Sequence, residues 1–217
     1  MGIRKISLVA GEYYHLYNRG NSKQKIFHDR KDEERFVKIL YLANSKNAFK
    51  FRDVENAIYE VDRGQRLVSI GAYCLMPNHF HLLIKELDEN GISRFMQRLT
   101  TAYSMYYNTK YKRVGALFEG RFRSEHLDND NYLKYMFSYI HLNPLKLIES
   151  DWKNHRIKNK SRALRFLEEY KLSSYADYGG EERSEGLIIN VDDFPKYFPT
   201  KQDFHKEILD WITTDPR

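Results

Sequence analysis

Ala72-Tyr-Cys-Leu-Met-Pro-Asn-His-Phe-His-Leu-Leu-Ile-Lys85 is the stretch on which the reading of this chain turns. An apolar run, a Met-Pro-Asn turn and a second apolar run describe two neighbouring antiparallel strands. Successive strand side chains point to opposite faces, so His79 and His81 share one face and Phe80 takes the other. Two neutral imidazoles roughly 7 Å apart along a strand can converge on one metal ion. A His-x-His pair alone is more often part of an ordinary half-exposed strand, so its meaning depends on what else reaches that face.

Upstream of this hairpin, Tyr13-Tyr-His-Leu-Tyr-Asn-Arg-Gly20 alternates aromatic and polar residues into a Gly turn and reads as a first strand. Arg19, Asn21, Lys23 and Lys25 form a basic loop. Asp29 can cap a helix from about 31 to 45, with Phe36, Ile39, Leu40 and Leu42 as its apolar stripe. Residues 46–65 are mixed and charged and read as an insertion. A second strand, 67–75, leads into the turn, and the histidine strand, 80–87, returns beside it.

Downstream, Gly91 to Lys110 is an amphipathic helix carrying Ile92, Phe95, Met96, Leu99, Tyr103, Met105 and Tyr106, with Arg94, Arg98 and Lys110 on its other face. A loop with two glycines precedes a fourth short strand, 122–127. Asp128 or Asp130 then caps a helix over 131–141. The order β-α-β-β-α-β is the ferredoxin-like plan, an α+β antiparallel sheet with its two helices on one face. To it are added a tyrosine-bearing helix after the last strand and a helical C-terminal extension. The division expected is 1–147 for the main domain and 148–217 for the extension packed on it, with helices at 162–170 and 202–213.

Composition narrows the function classes. The chain has 217 residues, a net charge of +6, 15% aromatic residues and 17 tyrosines. Basic and aromatic residues together suit nucleic acid, since Lys and Arg neutralise phosphates and rings stack on bases. The single cysteine, Cys74, excludes an intramolecular disulfide framework and a cysteine-based zinc site. No apolar run approaches the roughly 20 residues of a membrane span, and the first ten residues hold too short an apolar segment for a secretory signal. A cytoplasmic location is the default expectation.

A second constellation lies in Asn131-Tyr-Leu-Lys-Tyr-Met-Phe-Ser-Tyr-Ile-His-Leu-Asn-Pro144. Tyr132, Tyr135 and Tyr139 lie on one helix ridge, which by itself most often means packing. Only Tyr139 has a hard-ligand amide four residues on, at Asn143. Pro144 is expected to bias Asn143 out of helical geometry, which also makes Asn143 a candidate C-cap. His141 lies about 200° around the helix from Tyr139 and is expected to face elsewhere. His79, His81 and Asn143 would offer two imidazoles and an amide oxygen, a mixed and incomplete set that favours catalytic Mg²⁺ or Mn²⁺ over structural zinc. A phenol beside it is a nucleophile for phosphorus. Phenols titrate near about 10, so this one needs a base or a positive charge nearby.

With these residues in view, the chain resembles the IS200-like single-tyrosine (HUH) transposases, most closely the REP-associated tyrosine transposases. The matching segments are Tyr14-His-Leu-Tyr-Asn-Arg-Gly20, Tyr73-Cys-Leu-Met-Pro-Asn-His-Phe-His-Leu-Leu83, Gly115-Ala-Leu-Phe-Glu-Gly-Arg121, Tyr139-Ile-His-Leu-Asn-Pro144 and Ser173-Ser-Tyr-Ala-Asp-Tyr178. The resemblance implies a metal-dependent endonuclease and strand transferase acting on single-stranded DNA with hairpins or palindromic repeats. Tyr139 would form a 5′-phosphotyrosine link, and His79, His81 and, by position, Asn143 would bind the metal. The insertion-sequence branch has a glutamine where this chain has Asn143, one methylene longer. Arg19, Lys23, Lys25, Arg121 and Arg123 are the candidate DNA contacts. Insertion-sequence relatives are dimers that exchange the tyrosine helix, whereas the C-terminal helices here permit a monomer; both states are open. A catalytically silent ferredoxin-like nucleic-acid binder is the alternative, with a water-using metallohydrolase a weaker third.

Overall fold

A computed structural model describes residues 7–150, 152 and 157–213; the start of the N-terminal segment and most of the polar stretch at 151–156 lie outside the described residues. In chain order the principal elements are β1 (Tyr13–Arg19), α1 (Arg30–Ala43), α2 (Phe51–Val54), β2 (Val68–Met76), β3 (His79–Glu86), α3 (Gly91–Lys110), β4 (Arg123–His126), α4 (Asp130–Leu142), α5 (Lys160–Glu169), α6 (Tyr175–Tyr178) and α7 (Lys201–Thr213). The four strands form one antiparallel sheet in the order β2-β3-β1-β4. This is the expected ferredoxin-like plan. The insertion at 46–65 contributes the single turn of α2 and a short 3₁₀ turn, of which Ile58 is buried.

Alternation along the strands builds two cores. Tyr14, Leu16, Tyr73, Leu75, Phe80, Leu82 and Ile84 pack with the apolar stripes of α1 and α3, including Phe36, Leu40, Phe95 and Leu99. The opposite face, with Ala72, Cys74, Met76 and Leu83, packs with Leu133, Met136, Phe137 and Ile140 of α4. The tyrosine helix therefore lies across the histidine face, while α1 and α3 cover the other. The β2–β3 register slips between Ile70 and Ala72, giving a bulge at Gly71. A Cβ at Gly71 would stand 2.8 Å from the Phe194 ring, so the chain from the C-terminal region can approach there only against glycine.

The C-terminal region also covers the free edge of β2, which would otherwise expose unpaired backbone groups. Leu75 N donates to Leu172 O at 2.8 Å, Ser174 N to Tyr73 O at 3.0 Å and Asn190 N to Ile70 O at 2.8 Å. Leu142 and Leu145 join Ala163, Leu167, Tyr175, Phe204 and Ile208 in a third core. Among the described residues no helix is long and apolar enough to cross a membrane.

Three local expectations are corrected. The α4 cap is neither Asp128 nor Asp130 but Asn129, whose side chain accepts from Tyr132 N at 2.9 Å, because Asp130 already has helical geometry as the first residue. Met105 is 67% exposed, since the buried stripe of α3 runs through Tyr103 and Tyr107 instead. On the other face of α3, Arg98 donates to the Ser45 and Asn47 carbonyls, and Lys110 pairs with Asp29 and Asp32. Asn143 keeps helical dihedrals (φ −52°, ψ −38°) despite the following proline, because the chain continues into the 3₁₀ turn Asn143–Leu147.

Candidate active site

The site is assembled by strand register. His81 stands between Cys74 on β2 and Tyr17 on β1, and Tyr17 pairs onward with Arg123 on β4. One step along, His79 pairs with Met76 and Arg19. Two residues in the other direction along β1, His15 pairs with Glu125. His15, Tyr17, Arg19, His79, His81, Arg123 and Glu125 thus share one face of the sheet, beneath α4.

Hydrogen bonds set the orientation of both imidazoles. The Pro77-Asn78 turn joins β2 to β3, and Asn78 Nδ2 donates to Lys23 O at 3.1 Å. That fixes the amide, so its Oδ1, 2.6 Å from His79 Nδ1, must accept the Nδ1 proton. Nε2 of His79 is then the unprotonated nitrogen. Burial, reinforced by the nearby charges of Lys146 and Arg19, pushes His79 down to about 4, keeping the ring neutral near pH 7. His81 is 6% exposed, and its Nδ1 lies 2.8 Å from Nε2 of His15. The two histidine rings of β3 meet at right angles with centroids 4.9 Å apart.

α4 brings its tyrosine ridge onto this face. Tyr132, Tyr135 and Tyr139 stack in succession, with centroids 6.2 and 5.9 Å apart. Tyr139 is the one that reaches the histidines, edge-on to His81 at 5.8 Å and to His15 at 6.1 Å. Tyr135 turns instead toward Trp211 of α7 at 5.2 Å. His141 is fully buried away from the site, bonded through Nε2 to Ser174 Oγ at 2.8 Å, and burial pushes it down to about 3. Asn143 is 3% exposed and its Nδ2 donates to Tyr139 O at 3.3 Å, which leaves Oδ1 as its acceptor atom.

A model of the family described as "Transposase IS200 like" matches residues 9–143, more than half of the chain and the span that contains His79, His81, Tyr139 and Asn143. The chain belongs to the IS200-like transposase family. No curated protein matches the transposase sequence. Its fold is similar to that of a solved REP-associated tyrosine transposase bound to a REP hairpin, with a TM-score of 0.53, 17% identity, and 89% of this chain and 95% of that one covered.

Of the basic residues picked out in the transposase sequence, Arg19 and Arg123 share the histidine face; Arg19 also pairs with Glu119 at 3.6 Å. Lys23 and Lys25 are exposed on the loop that packs against the Pro77-Asn78 turn. Arg121 does not join them: it lines a cleft on the α3 side of the sheet with Asn18, Gln97 and Phe122. Sequence reasoning missed His15, Tyr17, Asn78, Glu125 and Lys146. The signal for two of them was present, since His15 and Tyr17 alternate with Arg19 on the same strand face.

Proposed function

We propose that this transposase cuts and rejoins single-stranded DNA bearing a hairpin, with Tyr139 as the nucleophile. What supports this most is Tyr139 packed edge-on against His81 and His15 of its own chain, on the sheet face that also carries His79. Tyr139 Oη attacks the phosphorus in line, the bond to the 3′ oxygen breaks, and the 5′ side stays on the enzyme as a phosphotyrosine. The phenol proton leaves during attack, and the released 3′ oxygen takes one up. Rejoining reverses these bond changes with an incoming 3′-hydroxyl.

The third protein ligand would be Asn143, one turn after Tyr139 on the helix that crosses the histidine face, through the amide oxygen that its hydrogen bond to Tyr139 O leaves as an acceptor. Two imidazoles and an amide oxygen suit a divalent cation that keeps open positions. Mg²⁺ or Mn²⁺ bound by His79, His81 and Asn143 would polarise the scissile phosphate and offset the charge that develops on it. Arg19 and Arg123 flank the histidines and hold the DNA backbone beside them; Lys23, Lys25 and Lys146 extend that basic rim, and hairpin DNA is the partner it serves.

The test is a denaturing gel with a hairpin oligonucleotide labelled at its 3′ end, run with and without Mg²⁺ or Mn²⁺. The wild type should give a metal-dependent nick and a labelled protein adduct. Tyr139→Phe should lose both while still binding the hairpin. An adduct that persists in Tyr139→Phe overturns the assignment; hairpin binding with neither nick nor adduct in the wild type favours the catalytically silent binder.

A further inference from the structure

Behind His81 lies a chain of hydrogen bonds whose direction follows from an ionised Glu125 and a neutral His15. Glu125 holds it at one end: Oε2 is 3.3 Å from His15 Nδ1, and the carboxylate also accepts from Tyr17 and Tyr132 hydroxyls, each at 3.3 Å. An ionised carboxylate only accepts, so His15 Nδ1 carries the proton. A neutral imidazole with a proton on Nδ1 has its lone pair on Nε2. That nitrogen is 2.8 Å from His81 Nδ1, so His81 Nδ1 must be the donor. The two rings are inclined by only 16° with centroids 5.1 Å apart, a separation that exceeds the N···N distance by little more than the two ring radii. They meet edge to edge, in the plane of the lone pair. His15 is 4% exposed and diagonal to His81 across β1 and β3, so water does not easily replace it.

We propose that Glu125 and His15 form a positioning relay that holds His81 as its Nδ1–H tautomer and turns its Nε2 lone pair toward the cation site. Metal-bound histidines need their second ring nitrogen held by an acceptor, which sets tautomer and ring orientation. Asn78 does this for His79 in one step, and the Glu125–His15 pair does it for His81 in two. The inference rests on the reading of His79 and His81 as cation ligands, but its geometric half stands in the metal-free protein.

Imidazole ¹⁵N spectra of the metal-free protein read the tautomer directly, and Mn²⁺ titration without DNA reads the consequence. The wild type should show His81 protonated on Nδ1. His15→Leu, similar in bulk but without an acceptor, should abolish that preference and weaken Mn²⁺ binding by roughly 10- to 100-fold. His15→Gln, which restores an acceptor near the Nε2 position, should recover most of both, while metal-free hairpin binding stays unchanged throughout. His81 protonated on Nε2 in the wild type, or His15→Leu with unaltered tautomer and Mn²⁺ affinity, overturns the relay. If the wild type binds Mn²⁺ no better than His81→Ala, the cation reading fails, and the tautomer spectra still decide the relay.

Discussion

Asp32 is fully buried, and its carboxylate is ringed by donors: Lys110 at 2.6 Å, Tyr111 at 2.7 Å, His28 N at 2.8 Å and Tyr106 at 3.0 Å. Burial alone would raise its titration point, but these donors, Lys110 foremost, outweigh it and hold the carboxyl below the usual range. A depressed carboxyl contributes stability that is present above its unfolded value near about 4 and is lost as pH falls through the lower folded value. Asp32→Asn should therefore cost about 2 kcal/mol near pH 7, because it removes the buried one of the two carboxylates that Lys110 pairs with and leaves only Asp29. Urea unfolding at pH 7 and below pH 4 should show the gap between the two proteins narrowing with acidity. A constant gap would mean that Asp32 acts by shape alone. None of this was legible beforehand, since Lys110 looked like a helix-surface cation and its partners come from 78 or more residues away. Glu125 was hidden for the same reason: 110 residues separate it from His15, and only the β1–β4 register joins them.

Elements were the most legible level. The 3.6-residue period of α3 and the alternation of β1 and β3 carry their own information, and Asp29 caps α1 as its position suggested, accepting from Asp32 N at 3.0 Å. Ends were less so where several residues could serve. Asp128, Asn129 and Asp130 are all competent caps, and only the backbone selects Asn129, at φ −145° and ψ 157°. Asn129→Ala should lower stability by about 1 kcal/mol, with no loss from Asp128→Ala of comparable size. Chemical denaturation of the two variants side by side separates them, and equal losses would refute the assignment. At the other end of α4, Asn143 stays helical because the buried Leu142 and Leu145 anchor the following turn in the third core. Pre-proline preference is a local bias, and packing overrides it there.

At the scale of the whole molecule, α4 is held to its own chain from both sides. Its inner face packs on Ala72, Cys74, Met76 and Leu83 of the sheet. Its outer face carries Lys134, paired with Glu207 of α7 at 2.8 Å, and Tyr135 against Trp211. Exchanging α4 between subunits, as insertion-sequence relatives do, would require both contacts to open or α7 to travel with it. We therefore expect each chain to carry a complete site and to work as a monomer, with sedimentation giving the 26.1 kDa mass. Mixing supplies the sharper test. If helices were exchanged, Tyr139→Phe and His81→Ala proteins would form heterodimers in which one site combines an intact tyrosine with intact histidines. With the site in one chain, neither partner can supply what the other lacks, and the mixture should give no adduct above that of the separate variants. Restored adduct on mixing would show that Tyr139 acts on the histidines of a second copy.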